Sequence, residues 1–90
     1  MMIAVDFDGT LVEDKFPDIG EPKDNVINWC ITKQNEGHYI GLYTLRQGKL
    51  LDDALRFCDS KGLKFNTIFF GKPHADVYLD DKNKLISELK

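Results

Sequence analysis

Short apolar runs alternate with helical patterns along this 90-residue chain, and this alternation restricts the fold more than any other feature. Four runs are typical of buried strands, at residues 2–5, 39–43, 67–70 and 77–79. The apolar spacing between and after them predicts a helix from Pro22 to near Glu36, a second through residues 50–58 and a closing helix over residues 82–90. The order β-α-β-α-β-β-α predicts one α/β domain over residues 1–90, with a mainly parallel sheet and helices on its faces.

Charge and cysteine usage limit the classes of partner and compartment. Twelve Lys and Arg against fifteen Asp and Glu give a net charge of −3, which does not predict general affinity for nucleic acid. No apolar run approaches the ~20 residues that span a bilayer, and the N-terminus does not resemble a signal peptide. We therefore expect no membrane association and a cytoplasmic location. Cys30 and Cys58 lie within the helical patterns, so we expect two core thiols rather than a disulfide or a metal site.

Polar side chains follow the ends of all four predicted strands. The carboxyl ends of parallel strands meet at one edge of a sheet, where ligands bind in such folds. We therefore expect one cluster that contains four carboxylates, a hydroxyl and an ammonium group. Its members are Asp6 and Asp8 after the first strand, Thr44 after the second, Lys72 after the third, and Asp80 and Asp81 after the fourth.

Such a cluster favours metal-assisted phosphoryl transfer. Neighbouring carboxylates repel one another and must share protons or a cation. Mg²⁺ with oxygen ligands would relieve the repulsion and leave positions for a phosphate. Lys72 and the Thr44 hydroxyl could hold the phosphate oxygens, while one carboxylate attacks phosphorus and a second transfers protons.

The chain resembles the haloacid dehalogenase-like phosphohydrolases. Residues 6–10, Asp-Phe-Asp-Gly-Thr, match the first motif of these enzymes, DxDG[TS]. Thr44 matches the second motif, Lys72 the third and the pair Asp80-Asp81 the fourth, at successive spacings of 38, 28 and 8 residues. The resemblance spans nearly the whole chain. It implies a small three-layer Rossmann-like domain and a Mg²⁺-dependent phosphatase that hydrolyses a phosphomonoester.

The resemblance also implies a role for each matching residue. Asp6 resembles the nucleophile that forms an aspartyl-phosphate, and Asp8 the general acid and base, whose backbone carbonyl also binds Mg²⁺. Thr44 would bind the phosphoryl group and Lys72 would neutralise it. Asp6 and Asp80 would be metal ligands, and Asp81 would bind the metal directly or through water. The short stretch between Lys72 and Asp80 departs from the usual pattern, because it leaves no room for a helix and makes Lys72 reach the site from a loop.

The cluster has two other interpretations. A response-regulator receiver domain also gathers acids, a threonine and a lysine, but it carries its phosphorylated aspartate after the third strand, where residues 67–71 contain no acid. A non-catalytic regulatory module that binds phosphate and metal with the same fold remains as the alternative. Arg46 has two interpretations, as a residue that binds the substrate phosphate or as a surface partner of Asp52 or Asp53.

The chain is too short for a cap domain. The connections over residues 9–43 and 45–71 are each used by a helix and a strand, and a further folded unit would need ~40 residues. The loop over residues 12–21, with Phe16, Pro17 and Ile19, is the only candidate lid. We therefore expect an open site that takes a large phosphorylated substrate, such as a nucleotide, a nucleic-acid end or a protein, or that a second chain completes in a homo-oligomer.

Overall fold

The computed structural model describes residues 1–80, where two helices pack on a four-stranded sheet. The strands are β1 (Met2–Asp6), β2 (Tyr39–Thr44), β3 (Thr67–Phe70) and β4 (Val77–Leu79), and the helices are α1 (Asp24–Asn35) and α2 (Gly48–Ser60). All neighbouring strands are parallel, in the order β3-β2-β1-β4. The predicted small Rossmann-like α/β domain without a cap is confirmed. Asp81 and the helix predicted for residues 82–90 lie outside the described residues.

Both helices contribute to one hydrophobic core. Residues two apart in a strand lie on the same face of the sheet, and the pairs Ile3–Ile40 and Val5–Leu42 are in register on β1 and β2. These four side chains are fully buried, and burial of each contributes about 1.5–3 kcal/mol. They share a cluster with residues of both helices, namely Val26, Ile27, Cys30, Ala54 and Cys58. The expected three-layer arrangement needs a second helical layer, and the helix predicted over residues 82–90 lies outside the described part of the chain.

The two cysteines lie in this core, as the sequence predicts. Cys30 and Cys58 are both buried and both free thiols. Burial raises the pKa of each to about 12, because a thiolate loses its hydration in an apolar environment. Both thiols are therefore protonated and unreactive at neutral pH.

The loop between β1 and α1 folds back on itself, which corrects the predicted start of the first helix. Pro22 does not lie in the first helical turn, because it forms an antiparallel bridge with Val12. The next residue, Lys23, donates its backbone N–H to the carbonyl of Leu11. The helix therefore begins only at Asp24. The prediction for the other end is confirmed, since Gly37 has the positive φ of 91° that glycine tolerates just past a helix.

The described residues include no helix that is long and apolar enough to cross a membrane.

Candidate functional site

The parallel sheet brings five of the six residues of the predicted cluster to its carboxyl edge. Asp6 is the last residue of β1, and Thr44 is the last residue of β2. Lys72 lies two residues beyond β3, and Asp80 directly follows β4. Asp8 lies two residues beyond β1, in the loop. The sixth residue, Asp81, is outside the described part of the chain.

Asp6 lines two neighbouring cavities. Its carboxylate Oδ1 accepts a hydrogen bond of 2.8 Å from the backbone N–H of Phe7. The first cavity, here called the Asp8 cavity, has a volume of about 370 Å³ and is lined by Asp6, Asp8, Asp14, Phe16, Thr44, Leu45 and Arg46. The second, here called the Lys72 cavity, has a volume of about 290 Å³ and is lined by Asp6, Tyr43, Thr44, Leu45, Gly71 and Lys72. Asp6 and Thr44 therefore share one cavity with Asp8, the predicted acid, and the other with Lys72, the predicted cation.

A buried arginine holds the Asp8 carboxylate in a fork. Arg46 donates from Nε to Asp8 Oδ2 at 2.8 Å and from Nη2 to Asp8 Oδ1 at 2.7 Å. The Arg46 side chain is only 1% exposed, against 19% for Asp8. The hydrogen bonds to Asp8 raise the pKa of Arg46 above its already high value, so the guanidinium stays charged. Two parallel charged hydrogen bonds fix the direction of the Asp8 carboxyl group.

The other donors of Arg46 bind the surrounding loop and helix. Nη1 donates to the carbonyls of Pro17 and Leu50 at 3.3 Å each, and Nη2 also donates to the carbonyl of Asp18 at 3.0 Å. With the fork on Asp8, these bonds use all five N–H groups of the guanidinium. This arrangement differs from both expectations for Arg46. A buried side chain does not form a surface pair with Asp52 or Asp53, and a guanidinium with every donor used has none left for a substrate phosphate.

A hydrogen bond within the turn that follows β2 orients Thr44. Its hydroxyl accepts a hydrogen bond of 3.1 Å from the backbone N–H of Arg46. The hydroxyl therefore keeps its own proton available to donate. Thr44 is buried, with 6% exposure, at the common wall of the two cavities. This position suits a donor to an oxygen of a group bound beside Asp6.

Asp80 is bound by a tyrosine and a lysine. Tyr43 donates its hydroxyl to Asp80 Oδ2 at 2.9 Å, and Lys72 Nζ lies 3.4 Å from the same oxygen. The Lys72 ammonium also lies 4.5 Å from the centre of the Tyr78 ring, an arrangement typical of cation–π attraction. Lys72 therefore reaches the Lys72 cavity from the loop, as the spacing of the motifs requires.

Oxygen ligands for a cation are present, but they come from few residues. Within residues 1–80, no group of three His, Cys, Asp or Glu side chains is close enough to hold a metal ion. Val5 of β1 pairs with Leu79 of β4. Asp6 and Asp80 directly follow these two residues, so they lie at neighbouring positions on adjacent segments of the sheet. Like charges at opposite strand positions repel one another. Mg²⁺ needs only one or two carboxylates, since it keeps several waters, and this donor set is compatible with it.

Sequence reasoning missed Tyr43 and the fork between Arg46 and Asp8. The sequence pattern identifies Tyr43 only as a strand residue, although its position before Thr44 places it at the same sheet edge. Arg46 and Asp8 are 38 residues apart, and no local pattern joins them. The available signal was that both lie two residues beyond the ends of adjacent strands.

Comparisons with known proteins give one solved structure that resembles this chain. Neither a scan against models of protein families nor a search of curated proteins found a match. The similar structure is that of a conserved protein coded by a locus from Bacteroides thetaiotaomicron. It has 35% sequence identity to this chain and superposes with a TM-score of 0.83. The similarity covers 100% of this chain and 92% of that protein.

Proposed function

The chain belongs to the same family as the conserved Bacteroides thetaiotaomicron protein, and we propose that it is a Mg²⁺-dependent phosphatase that hydrolyses a phosphomonoester through an aspartyl-phosphate on Asp6. The observation that carries the proposal is the position of Asp6 between the two cavities. Asp6 shares the first cavity with a second carboxylate, Asp8, and the second cavity with a cation, Lys72. Thr44 lines both cavities. A nucleophile, a proton-transfer group and phosphate-binding groups are the parts that phosphoryl transfer requires.

In the first step, a carboxylate oxygen of Asp6 attacks phosphorus, and the bond from phosphorus to the ester oxygen breaks. The hydrogen bond from the Phe7 backbone fixes the orientation of the attacking carboxylate. Asp8, in its protonated form, gives its proton to the departing alcohol oxygen. The Thr44 hydroxyl donates to a phosphoryl oxygen, and the Lys72 ammonium offsets the phosphoryl charge.

In the second step, water attacks the phosphorus of the aspartyl-phosphate. The bond from phosphorus to the Asp6 oxygen breaks, and Asp8, now a carboxylate, accepts a proton from that water. Inorganic phosphate leaves, the Asp6 carboxylate is regenerated, and the protonated Asp8 can act as the acid of the next turnover. The Arg46 fork supports this base role because it holds the ionised Asp8 carboxylate in one direction, whereas the acid role in the first step requires Asp8 to be protonated before the ester bond breaks. Arg46 acts here through Asp8 and is a positioning residue.

Mg²⁺ would be held by Asp6, Asp80 and the backbone carbonyl of Asp8, and it would offset the negative charge between the carboxylates and the phosphoryl group. Asp81, outside the described residues, is the further ligand that the sequence suggests. The proposed compartment remains the cytoplasm. Two free thiols support this, since secreted domains of this size commonly rely on disulfides.

The test is release of inorganic phosphate from p-nitrophenyl phosphate, with and without Mg²⁺, by the wild type and by Asp6→Asn. The amide of Asp6→Asn has nearly the same shape but is not a nucleophile. We expect Mg²⁺-dependent release by the wild type and loss of at least 10³-fold in the variant, the scale on which removal of a covalent nucleophile acts. Asp59→Asn is a matched control, because Asp59 is an exposed aspartate on α2. Equal rates for the wild type and Asp6→Asn would contradict the proposal, and no turnover by the wild type would favour the non-catalytic module.

A further inference from the structure

Two exposed apolar side chains lie at the Asp8 cavity. Leu45 is 71% exposed and Phe16 is 57% exposed, and both line this cavity together with the carboxylates. Apolar side chains grouped around a polar cavity, rather than scattered singly, are typical of a surface that binds something apolar. Their position beside Asp6 and Asp8 makes a part of the substrate the simplest occupant.

The loop that carries Phe16 is attached to the site by Arg46. The guanidinium carbon of Arg46 lies 5.1 Å from the centre of the Phe16 ring. The same guanidinium binds the carbonyls of Pro17 and Asp18. Asp14 Oδ1 also accepts a hydrogen bond of 3.2 Å from the Phe16 backbone N–H. The phenyl ring is therefore held as a wall of the cavity, although it is more than half exposed.

The described side chains that line the Asp8 cavity carry a net negative charge. Among residues 1–80, three carboxylates line the cavity, Asp6, Asp8 and Asp14, and the one cationic side chain that lines it, Arg46, is already bound to Asp8. The Lys72 ammonium lies in the neighbouring cavity. A second anionic group on the substrate would therefore meet Asp14, because Arg46 is bound to Asp8 and Mg²⁺ on Asp6 would be occupied by the transferring phosphoryl group.

We propose that the Asp8 cavity binds the leaving group of the substrate, and that this leaving group is apolar or aromatic and carries no negative charge. The inference rests on the proposed phosphatase activity, because Asp8 must lie beside the oxygen that it protonates. A leaving group attached to that oxygen extends between Phe16 and Leu45. The same geometry disfavours a nucleic-acid end, whose next phosphate would lie close to Asp14.

The experiment compares kcat/KM for three esters of primary alcohols, so that the leaving alcohols have similar pKa values. They are 2-phenylethyl phosphate, ethyl phosphate and the anionic 3-carboxypropyl phosphate. The proteins are the wild type, Phe16→Ser and Asp14→Asn, which keeps the oxygen that binds the Phe16 N–H. Tyr39→Ser is the control, since Tyr39 is an exposed aromatic residue that begins β2, at the opposite edge of the sheet.

We expect the wild type to prefer the phenylethyl ester over the ethyl ester by roughly tenfold, the upper range for one aromatic contact. Phe16→Ser should reduce this ratio to about one to threefold, and Tyr39→Ser should leave it unchanged. Asp14→Asn should raise kcat/KM for the anionic ester, relative to the ethyl ester, by about three- to tenfold. A wild-type preference for the anionic ester, or a phenylethyl preference that survives in Phe16→Ser, would overturn the inference.

Binding of 2-phenylethylphosphonate, which cannot be hydrolysed at phosphorus, separates the two proposals. If no ester is turned over but the phosphonate binds the wild type more tightly than Phe16→Ser, the phosphatase proposal fails and only the binding of an apolar group in the Asp8 cavity stands. If the esters are hydrolysed but the wild type and Phe16→Ser show the same preferences, the phosphatase proposal stands and the cavity assignment fails.

Discussion

Replacement of Arg46 by methionine tests the buried fork directly. The substitution keeps an unbranched chain but removes all five N–H groups, two of which bind Asp8 and three of which bind backbone carbonyls. Loss of one partner of a buried ion pair costs about 3–5 kcal/mol. Since the Asp8 side chain is 19% exposed, water can partly replace the lost donors. We therefore expect the free energy of unfolding to fall by about 3 kcal/mol.

The assay is urea unfolding followed by circular dichroism, with the slope of the transition compared between variants. Arg46→Lys should lose about 1–2 kcal/mol, because an ammonium keeps the charge but cannot form the planar fork. Lys49→Met is the matched control. Its ion pair with Asp53 lies on the surface, with Lys49 86% exposed, and such pairs contribute only about 0.3–0.5 kcal/mol. A loss below 1 kcal/mol in Arg46→Met would refute the reasoning.

Three further outcomes follow from the same contacts. Asp8→Asn should lower turnover of an alkyl phosphate by roughly 10²–10⁴-fold. The loss should be smaller for p-nitrophenyl phosphate, because its leaving group needs no protonation. Near wild-type rates on the alkyl ester would exclude Asp8 as the acid. Folding raises the pKa of Cys30 and Cys58 from 9.0 to about 12, so the stability from the buried protonated thiols should fall as pH rises above about 9, by roughly 1 kcal/mol per thiol at pH 10. In urea titrations at pH 8 and pH 10, the double variant Cys30→Ala/Cys58→Ala should lack this part of the loss, and equal losses in both proteins would contradict the assignment. The buried Thr10 hydroxyl has no hydrogen-bond partner among the described residues, so Thr10→Val should raise the free energy of unfolding by about 1 kcal/mol, and a loss of that size in the same assay would show that the hydroxyl is bound.

The fold was predictable because its signals are local. Buried parallel strands appear as continuous apolar runs, and all four runs are strands in the structure. Amphipathic spacing gave both described helices, and glycine marked where α1 ends. The start of α1 was not predictable in the same way. Pro22 is a normal first residue of a helix, but here its bridge to Val12 holds it in the loop, and that contact crosses ten residues.

The site was predictable only in part, because its residues lie on different elements. The rule that parallel strands meet at one edge was enough to group Asp6, Thr44, Lys72 and Asp80. It gives no information on which side chains bind one another within the group. The pairing of Arg46 with Asp8 depends on how a turn and a loop pack together, and the ring of Phe16 enters the site only through that packing. Such contacts come from tertiary structure, where the sequence carries no periodic signal.

The most direct test of the central proposal is to trap the phosphate on Asp6. The wild type is incubated with Mg²⁺ and p-nitrophenyl phosphate, quenched in acid and treated with borohydride, which reduces an aspartyl-phosphate to homoserine. Peptide mass spectrometry should then find homoserine at position 6 in the wild type, only when Mg²⁺ and ester are both present, and never in Asp6→Asn. Turnover without modification at Asp6, or modification at a different aspartate, would contradict the proposed mechanism.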